Sequence, residues 1–327
     1  MLLFYLGHYA VFGQETTISG EVIAEKSGEP IIGATIFYDG SSLGTITDID
    51  GKFKLTTKNV IYAPLVVRSL GFETAYLPNL DTSFIRVPMK EAAIALSEVV
   101  LEPDTWSRAK KLKVFRREFL GFGRHRCIIE NENDIRLYYN KAKKTLYAYA
   151  ENPILIRNKK LGYEVIYDLK DFELSLNYDS AETDAVRQIL YAGTMQFKDL
   201  PEKNNLYKKR RQKAYFGSKL HFFRALYADR LTDEGFSFYL RGFIVPLDKV
   251  FSVKMVDKFL VVSRIQKSGK LGVFYKDNLL SSLHLEMDEF KVDAYGNHSP
   301  AYGLLFSGSM GENRIAQTLP IDYEVPD

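Results

Sequence analysis

The sequence predicts a mainly β protein, in which an N-terminal β-sandwich is followed by an α+β domain of antiparallel strands with one long helix. Short alternating segments, separated by turn residues about every 8 to 12 positions, are typical of a sandwich. Two later stretches repeat apolar residues at helical spacing. Tyr and Phe number 21 and 22 in 327 residues, and aromatic side chains favour strands.

The first 14 residues are apolar and stop before Glu15, which is typical of a secretory signal. No Lys or Arg precedes this run, and a first strand of the sandwich is the alternative interpretation. A signal at residues 1–14 would place the mature chain outside the cytoplasm. No other segment reaches the ~18 apolar residues of a membrane-spanning helix, so we expect no transmembrane helix.

Residues 15–102 form the predicted sandwich. Its breaks are Gly28-Glu29-Pro30, Asp39-Gly40-Ser41-Ser42 and Asp50-Gly51, because Asp caps its own backbone and Gly accepts positive φ. The strands predicted between these breaks cover residues 18–25, 34–38, 44–47, 52–56, 65–69, 74–78, 85–89 and 98–101.

The most informative stretch is Gly44-Thr45-Ile46-Thr47-Asp48-Ile49-Asp50-Gly51-Lys52-Phe53, which predicts a strand, a tight turn and a second strand. Asp39, Asp48 and Asp50 could also bind calcium, but Lys58 and Asn59 stand where an EF-hand-like loop needs a bidentate Glu. We therefore interpret Asp48 and Asp50 as turn caps. This predicts that Asp50→Ala and Gly51→Val impair folding.

Residues 103–327 form the predicted α+β domain. A helix is expected over residues 106–122, with Thr105 or Asp104 as N-cap and Gly121 near the C-cap. Residues 205–231 form the predicted long helix, because apolar residues recur there at helical spacing from Phe216 to Leu231. The strands predicted around these helices cover residues 135–139, 145–150, 162–178, 236–240, 259–265, 271–275, 281–286 and 290–293.

Four motifs carry a resemblance in residues 16–102: Gly20-x-Val22, Gly28-x-Pro30-x-x-Gly33-Ala34, the Gly44 to Phe53 stretch, and Ser69-Leu70-Gly71-Phe72-Glu73. Together they resemble the carboxypeptidase-regulatory-like domain, a small transthyretin-like β-sandwich. In Gram-negative bacteria this domain often begins outer-membrane nutrient transporters and other envelope proteins. The resemblance implies a secreted protein that is periplasmic or associated with the outer membrane. The remainder resembles envelope proteins in which this sandwich precedes a β-rich domain of unassigned role.

The histidine spacing argues against a zinc carboxypeptidase. None of His8, His125, His221, His284 and His298 has a Glu three positions later, and no two are close enough for a short ligand motif. The sequence likewise predicts no metal, no cofactor and no catalytic residue. The one cysteine, Cys127, is interpreted as a buried thiol, with His125 as its nearest candidate base.

Two basic runs provide the candidate binding residues. Residues 108–126 contain eight Lys or Arg and one acid, Glu118, and residues 203–224 contain eight and no acid. Such faces could meet anionic lipid headgroups or an acidic protein, and a solvated helix face is the alternative. The residues predicted to bind a partner are Arg116, Arg117, Arg210, Arg211 and Lys213. Neutralising the last three is expected to leave stability nearly unchanged.

The sequence therefore favours a non-enzymatic envelope protein that binds or scaffolds a partner, with the sandwich as its docking module. The expected partner is an envelope protein, a glycan or an anionic lipid surface, and not a nucleic acid. The alternative is a hydrolase of envelope glycan or polysaccharide, with its site in the C-terminal domain. A deep pocket holding two carboxylates, or a His–carboxylate pair with perturbed pKa, would favour the enzyme. A shallow surface with an aromatic or basic patch would favour binding. The oligomeric state is left open.

Overall fold

The computed structural model describes residues 15–58, 60–78, 83–92, 104–201, 205–265, 271–276, 279–300 and 303–326. Strands make up 45% and helices 18%, so the mainly β fold class is confirmed. The predicted signal at residues 1–14 and the predicted strand at residues 98–101 lie outside the described residues. Of the helices in the described ranges, none has the length and apolar character needed to cross a membrane.

Within the described residues, the N-terminal sandwich contains seven strands: β1 (Thr16–Ala24), β2 (Thr35–Tyr38), β3 (Gly44–Ile46), β4 (Lys52–Thr57), β5 (Leu65–Arg68), β6 (Ala75–Leu77) and β7 (Phe84–Met89). One sheet has the order β4-β1-β7 and the other β3-β2-β5-β6. Strand β4 alternates exposed and buried residues, which directs Phe53 and Leu55 into the core. Val22, Ile36 and Val67 are fully buried there.

The turn after β3 carries the chain from one sheet of the sandwich to the other. The Asp48 carboxylate accepts hydrogen bonds from the backbone N–H of Asp50 at 2.9 Å and of Lys52 at 2.8 Å. Gly51 has a φ of 71°. The side chain of Asp50 is exposed and lies 4.0 Å from the Lys52 ammonium. Asp48 therefore caps the turn, and the interpretation of Asp50 as a second cap was wrong.

The next part of the chain builds one sheet around a helix. Its elements are α1 (Arg108–Leu120), β8 (Cys127–Ile129), β9 (Ile135–Asn140), β10 (Thr145–Ala150), β11 (Ile154–Asn158), β12 (Tyr163–Leu176) and β13 (Val186–Asp199). The sheet order is β8-β11-β12-β10-β9, and β13 pairs with β12. The N-cap of α1 is Ser107 rather than Thr105 or Asp104, because its side chain accepts the Lys110 N–H. Gly121 is the C-cap, as predicted.

The predicted long helix is two helices, α2 (Leu206–Tyr215) and α3 (Lys219–Tyr227). Gly217 lies between them with a φ of 75°, a conformation that no helix contains. Ser218 then caps α3 by accepting the His221 N–H at 3.2 Å. As a result Phe216, expected on a buried helical face, is 41% exposed, whereas Phe223 is buried. The sequence showed apolar residues at helical spacing on both sides of Gly217, but the backbone conformation of this glycine ends the first helix.

The remaining elements are β14 (Phe236–Leu240), β15 (Phe243–Val245), β16 (Phe251–Val256), β17 (Phe259–Arg264), β18 (Leu271–Tyr275), β19 (Leu279–Leu285), β20 (Glu289–Val292), β21 (His298–Ser299), β22 (Leu304–Gly308) and α4 (Ser309–Glu312). They form sheets of order β15-β14-β18-β19-β22 and β16-β17-β20-β21. Helix α3 packs Phe222 and Phe223 into their shared core. Ile315, Leu319 and Tyr323 return to the core of α1 and β12. The single C-terminal domain at residues 103–327 stays a prediction.

A loop of the sandwich, residues 39–42, joins it to the rest of the chain. The Gly40 N–H donates to the Met195 carbonyl at 2.8 Å, and the Ser41 carbonyl accepts the Phe197 N–H at 2.9 Å. On its other side, the Ser42 N–H donates to the Asp322 carboxylate at 2.7 Å. The sandwich is therefore hydrogen-bonded both to β13 and to the C-terminal segment.

Candidate partner-binding surface

Arg211, one of the predicted binding residues, is held inside the fold. Its side chain is 16% exposed. The guanidinium donates to the carbonyls of Leu161 at 2.7 Å and Gly162 at 2.9 Å, and to the Asp199 carboxylate at 2.6 Å. It also lies 3.8 Å from the centre of the Tyr163 ring. These contacts give Arg211 a structural role.

The two predicted arginines on α1 are paired with acids. Arg116 makes two hydrogen bonds to the Glu132 carboxylate. Arg117 contacts the carboxylate of its neighbour Glu118, and Arg314 reaches the same carboxylate at 2.6 Å. Since carboxylates compensate both charges, α1 offers a partner less positive field than its composition suggests.

The remaining predicted residues, Arg210 and Lys213, lie on one face of α2. The segments that contain Lys160 and Arg126 lie close to this face. Arg210 approaches the carbonyls of Lys159 and Lys160 at 3.4 and 3.5 Å. Pairing of β8 with β11 sets Arg126 beside them, since the Lys159 N–H donates to the Arg126 carbonyl at 2.9 Å. The structure thus brings together cations from three separate parts of the sequence.

Lys160 lies within electrostatic range of the other three cations. Burial, together with the positive charges of Lys213, Arg126 and Arg210, lowers the pKa of the Lys160 ammonium. Across the described ranges, none of these four side chains has a carboxylate within 4.0 Å, whereas nearby Arg157 pairs with Glu130. The positive charge of the group is therefore uncompensated.

An exposed aromatic side chain stands beside these cations. Phe122 is 68% exposed, and the Lys160 ammonium lies 5.3 Å from the centre of its ring. Gly121 and Gly123 flank it with φ values of 73° and 91°. A Cβ on Gly121 would come within 2.8 Å of Arg314 Cβ, so a residue larger than glycine does not fit at this position. We call Phe122, Arg126, Lys160, Arg210 and Lys213 the basic surface.

Sequence reasoning found only part of this surface. Arg210 and Lys213 were predicted, and Arg126 belonged to a basic run without being selected. Phe122 and Lys160 were missed, because the sequence around a single aromatic residue or a Lys-Lys pair does not show which other residues lie beside it. The pairing of β8 with β11 determines that. The unusual Gly-Phe-Gly spacing was the one local signal that could have drawn attention to Phe122.

A separate cavity of about 380 Å³ contains the arrangement expected of the hydrolase alternative, a His–carboxylate pair. The Gly217 N–H donates to His221 Nδ1 at 3.1 Å, which assigns the proton to Nε2, and this atom contacts Glu234 at 3.2 Å. Burial lowers the pKa of His221. Both ring nitrogens are therefore engaged, and neither is free to accept a proton from a substrate.

The Cys127 thiol is also unsuited to nucleophilic chemistry. Burial raises the pKa of this thiol to about 12, so it stays protonated at neutral pH. The Cys127 side chain itself is half-buried, so the sequence interpretation of a buried thiol is met only in part. In the described ranges, no group of three or more His, Cys, Asp or Glu side chains lies close enough to hold a metal ion.

Comparison with known proteins identifies the sandwich. Residues 18–101 match the family model of the CarboxypepD_reg-like domain. The sandwich is a CarboxypepD_reg-like domain. A stretch of 90 residues is 36% identical to the TonB-dependent receptor SusC of Bacteroides thetaiotaomicron, over 28% of this chain and 8% of that receptor. Another of 101 residues is 30% identical to the TonB-dependent receptor P39 of Formosa agariphila, over 31% and 10%.

The similarity to these receptors concerns a small part of each. The chain spans 8% and 10% of the lengths of the two curated relatives. A 9R-lipoxygenase from Cyanothece PCC8801 aligns over 72% of this chain and 48% of its own at 9% identity, and the TM-score of 0.20 supports no statement about fold. The basic surface lies outside the CarboxypepD_reg-like domain, because its residues all follow the match to residues 18–101.

The junction between the CarboxypepD_reg-like domain and β13 contains an aspartate, Asp39, whose pKa is shifted by burial. Asp39 accepts the Met195 N–H at 2.8 Å, and burial raises the pKa of this carboxyl from 3.8 to about 6. The folded state therefore favours the protonated form. The stability that Asp39 contributes is fully present below pH 3.8 and is lost as the pH rises through about 6.

We expect Asp39→Asn to raise the free energy of unfolding by about 1 kcal/mol at pH 8, because the neutral amide keeps an acceptor for Met195 without a buried charge. Denaturant unfolding of both proteins across this pH range measures the effect. The difference in free energy of unfolding between Asp39→Asn and the parent should increase from acid to neutral pH. A difference between the two proteins that does not change with pH would contradict the assignment.

Proposed function

We propose that this chain is a non-enzymatic, envelope-associated binding protein. In this proposal the CarboxypepD_reg-like domain is the docking module, and the basic surface holds an anionic partner. The observation that carries the proposal is the convergence of Arg126, Arg210 and Lys213 on Lys160, which lies 5.3 Å from the exposed ring of Phe122. Among the described residues, no carboxylate lies within 4.0 Å of these four cations. Similarity of the domain to TonB-dependent receptors supports the envelope association.

The exposed residues of the CarboxypepD_reg-like domain support its docking role. Strand β3 is at the edge of its sheet, so one side of its backbone is open. Ile32, Ile46 and Ile49 are 63%, 64% and 76% exposed around this edge. An open edge with exposed aliphatic side chains is suited to binding another protein. One molecule would thus combine an apolar docking edge with a separate basic surface.

The binding role of the basic surface predicts the behaviour of a charge reversal. The double variant Arg210→Glu/Lys213→Glu should weaken binding to the envelope about thirtyfold, since each lost cation near an anionic surface weakens binding by roughly 1 kcal/mol. Cell fractionation followed by quantitative immunoblotting measures the envelope-bound fraction. Binding of the parent protein should weaken as salt is added to the wash, because salt screens exposed charges.

A matched control carries the same change in charge elsewhere. Lys249 and Lys254 are exposed and lie outside both the docking module and the basic surface, so Lys249→Glu/Lys254→Glu alters net charge equally. This control should fractionate as the parent does. If Arg210→Glu/Lys213→Glu stays in the envelope, or if both variants are lost equally, the basic surface does not hold the partner.

A further inference from the structure

We propose that the basic surface faces an anionic lipid bilayer, with the Phe122 ring inserted at the headgroup level and the four cations against lipid phosphates. This inference rests on the proposed function, because it names the chemistry of the anionic partner. It adds a role for Phe122, which charge alone does not explain.

The shape of the Phe122 turn is the first support. Nearby Phe115 and Phe119 are fully buried, whereas Phe122 is 68% exposed. Its two flanking glycines have positive φ, and a side chain at Gly123 would come within 3.2 Å of Lys160. The backbone therefore holds one large apolar side chain at the tip of a tight turn. An aromatic ring presented in this way is suited to the interface between water and hydrocarbon.

The charges around the ring are the second support. Phe122 is bordered by Lys160 and lies four residues before Arg126, while Arg210 and Lys213 extend the positive region along α2. Lipid phosphates would supply the negative charges that the fold does not. Each cation held near an anionic membrane strengthens binding about fivefold. One apolar anchor with a cluster of cations provides the two signals that stable membrane association requires.

Two other partners would use the same charges differently. A single-stranded nucleic acid needs several aromatic platforms for successive bases, and the basic surface offers one exposed ring. An acidic protein would need a pocket that fits Phe122. The lipid surface requires no matching pocket, because a bilayer adapts to an inserted ring. It is therefore the partner that these residues favour.

Vesicle co-sedimentation of the full chain tests the inference. Vesicles of phosphatidylcholine mixed with phosphatidylglycerol should sediment the protein, and vesicles of phosphatidylcholine alone should not. Phe122→Ala should weaken binding about tenfold, because the apolar contact is lost while every charge remains. Arg210→Glu/Lys213→Glu should weaken it by more than tenfold. Circular dichroism and melting curves confirm that each variant is folded.

The control for the ring is Phe243→Ala, because Phe243 on β15 is 74% exposed and lies outside the basic surface. It should bind vesicles as the parent does. Absent binding to anionic vesicles, or equal binding by Phe122→Ala and the parent, overturns the lipid assignment. Stronger binding to a thymidine oligonucleotide than to vesicles also overturns it. If vesicle binding fails while envelope fractionation still depends on Arg210 and Lys213, the proposed function stands with a protein or glycan partner.

Discussion

Gly51→Val lowers the free energy of unfolding by about 3 kcal/mol or more, with a matching fall in the melting temperature. Gly51 has a φ of 71°, which a β-branched residue adopts only at a large cost in energy. A Cβ at this position would lie 2.7 Å from the Val22 carbonyl oxygen and 2.8 Å from Pro30 Cβ. Both the backbone conformation and the lack of space therefore oppose valine.

Neighbouring positions provide the controls for this result. Asp50→Ala should change stability by less than about 0.5 kcal/mol, because its side chain is exposed and caps nothing. Asp48→Ala should cost about 1–2 kcal/mol, since two backbone N–H groups lose their acceptor. Urea unfolding of the three variants separates these effects. A Gly51→Val protein as stable as the parent would refute the assignment of this turn.

Arg211→Ala lowers the free energy of unfolding by about 2–4 kcal/mol, which revises the expectation that neutralising this residue leaves stability unchanged. The substitution removes the donor for the Leu161 and Gly162 carbonyls and the partner of Asp199. It also removes the cation stacked at 3.8 Å on the Tyr163 ring. Thermal and denaturant unfolding measure the loss.

The control for Arg211 is two residues away on the same helix. Lys213 is exposed, so Lys213→Ala should stay within about 0.5 kcal/mol of the parent. Arg211→Lys should recover little of the loss, because an ammonium cannot reproduce the planar, multiple contacts of a guanidinium. Equal stability of Arg211→Ala and Lys213→Ala would show that the contacts of Arg211 contribute nothing to folding.

The strands of the sandwich could be predicted closely because their signals are local. Strand β4 was expected at residues 52–56 and spans Lys52–Thr57, and β5 was expected at residues 65–69 and spans Leu65–Arg68. Alternation along a strand and glycine at positive φ depend on a few adjacent residues. The helix boundary at Gly217 was less visible, because apolar spacing continues through it and only backbone geometry ends the helix.

The basic surface could be predicted only in part, because net charge along a segment does not reveal which charges are compensated. Arg116, Arg117 and Arg211 stand in basic runs as Arg210 and Lys213 do. Glu132 and Asp199, from other segments, pair with Arg116 and Arg211, whereas Arg117 pairs with its neighbour Glu118 and donates to the distant Ala181 carbonyl. Arg126 and Lys160 reach Arg210 through the pairing of Cys127 with Asn158. Long-range pairing of this kind leaves no trace in local composition.

Local patterns were thus sufficient for the CarboxypepD_reg-like domain, since alternating burial and turn chemistry act between residues close in sequence. They also showed that the chain lacks the histidine spacing of a zinc carboxypeptidase. Tertiary packing decided which cations are exposed and which of them lie close together. The exposure of a cation depends on which carboxylates and carbonyls from distant segments lie beside it, and only the folded chain brings those segments into contact.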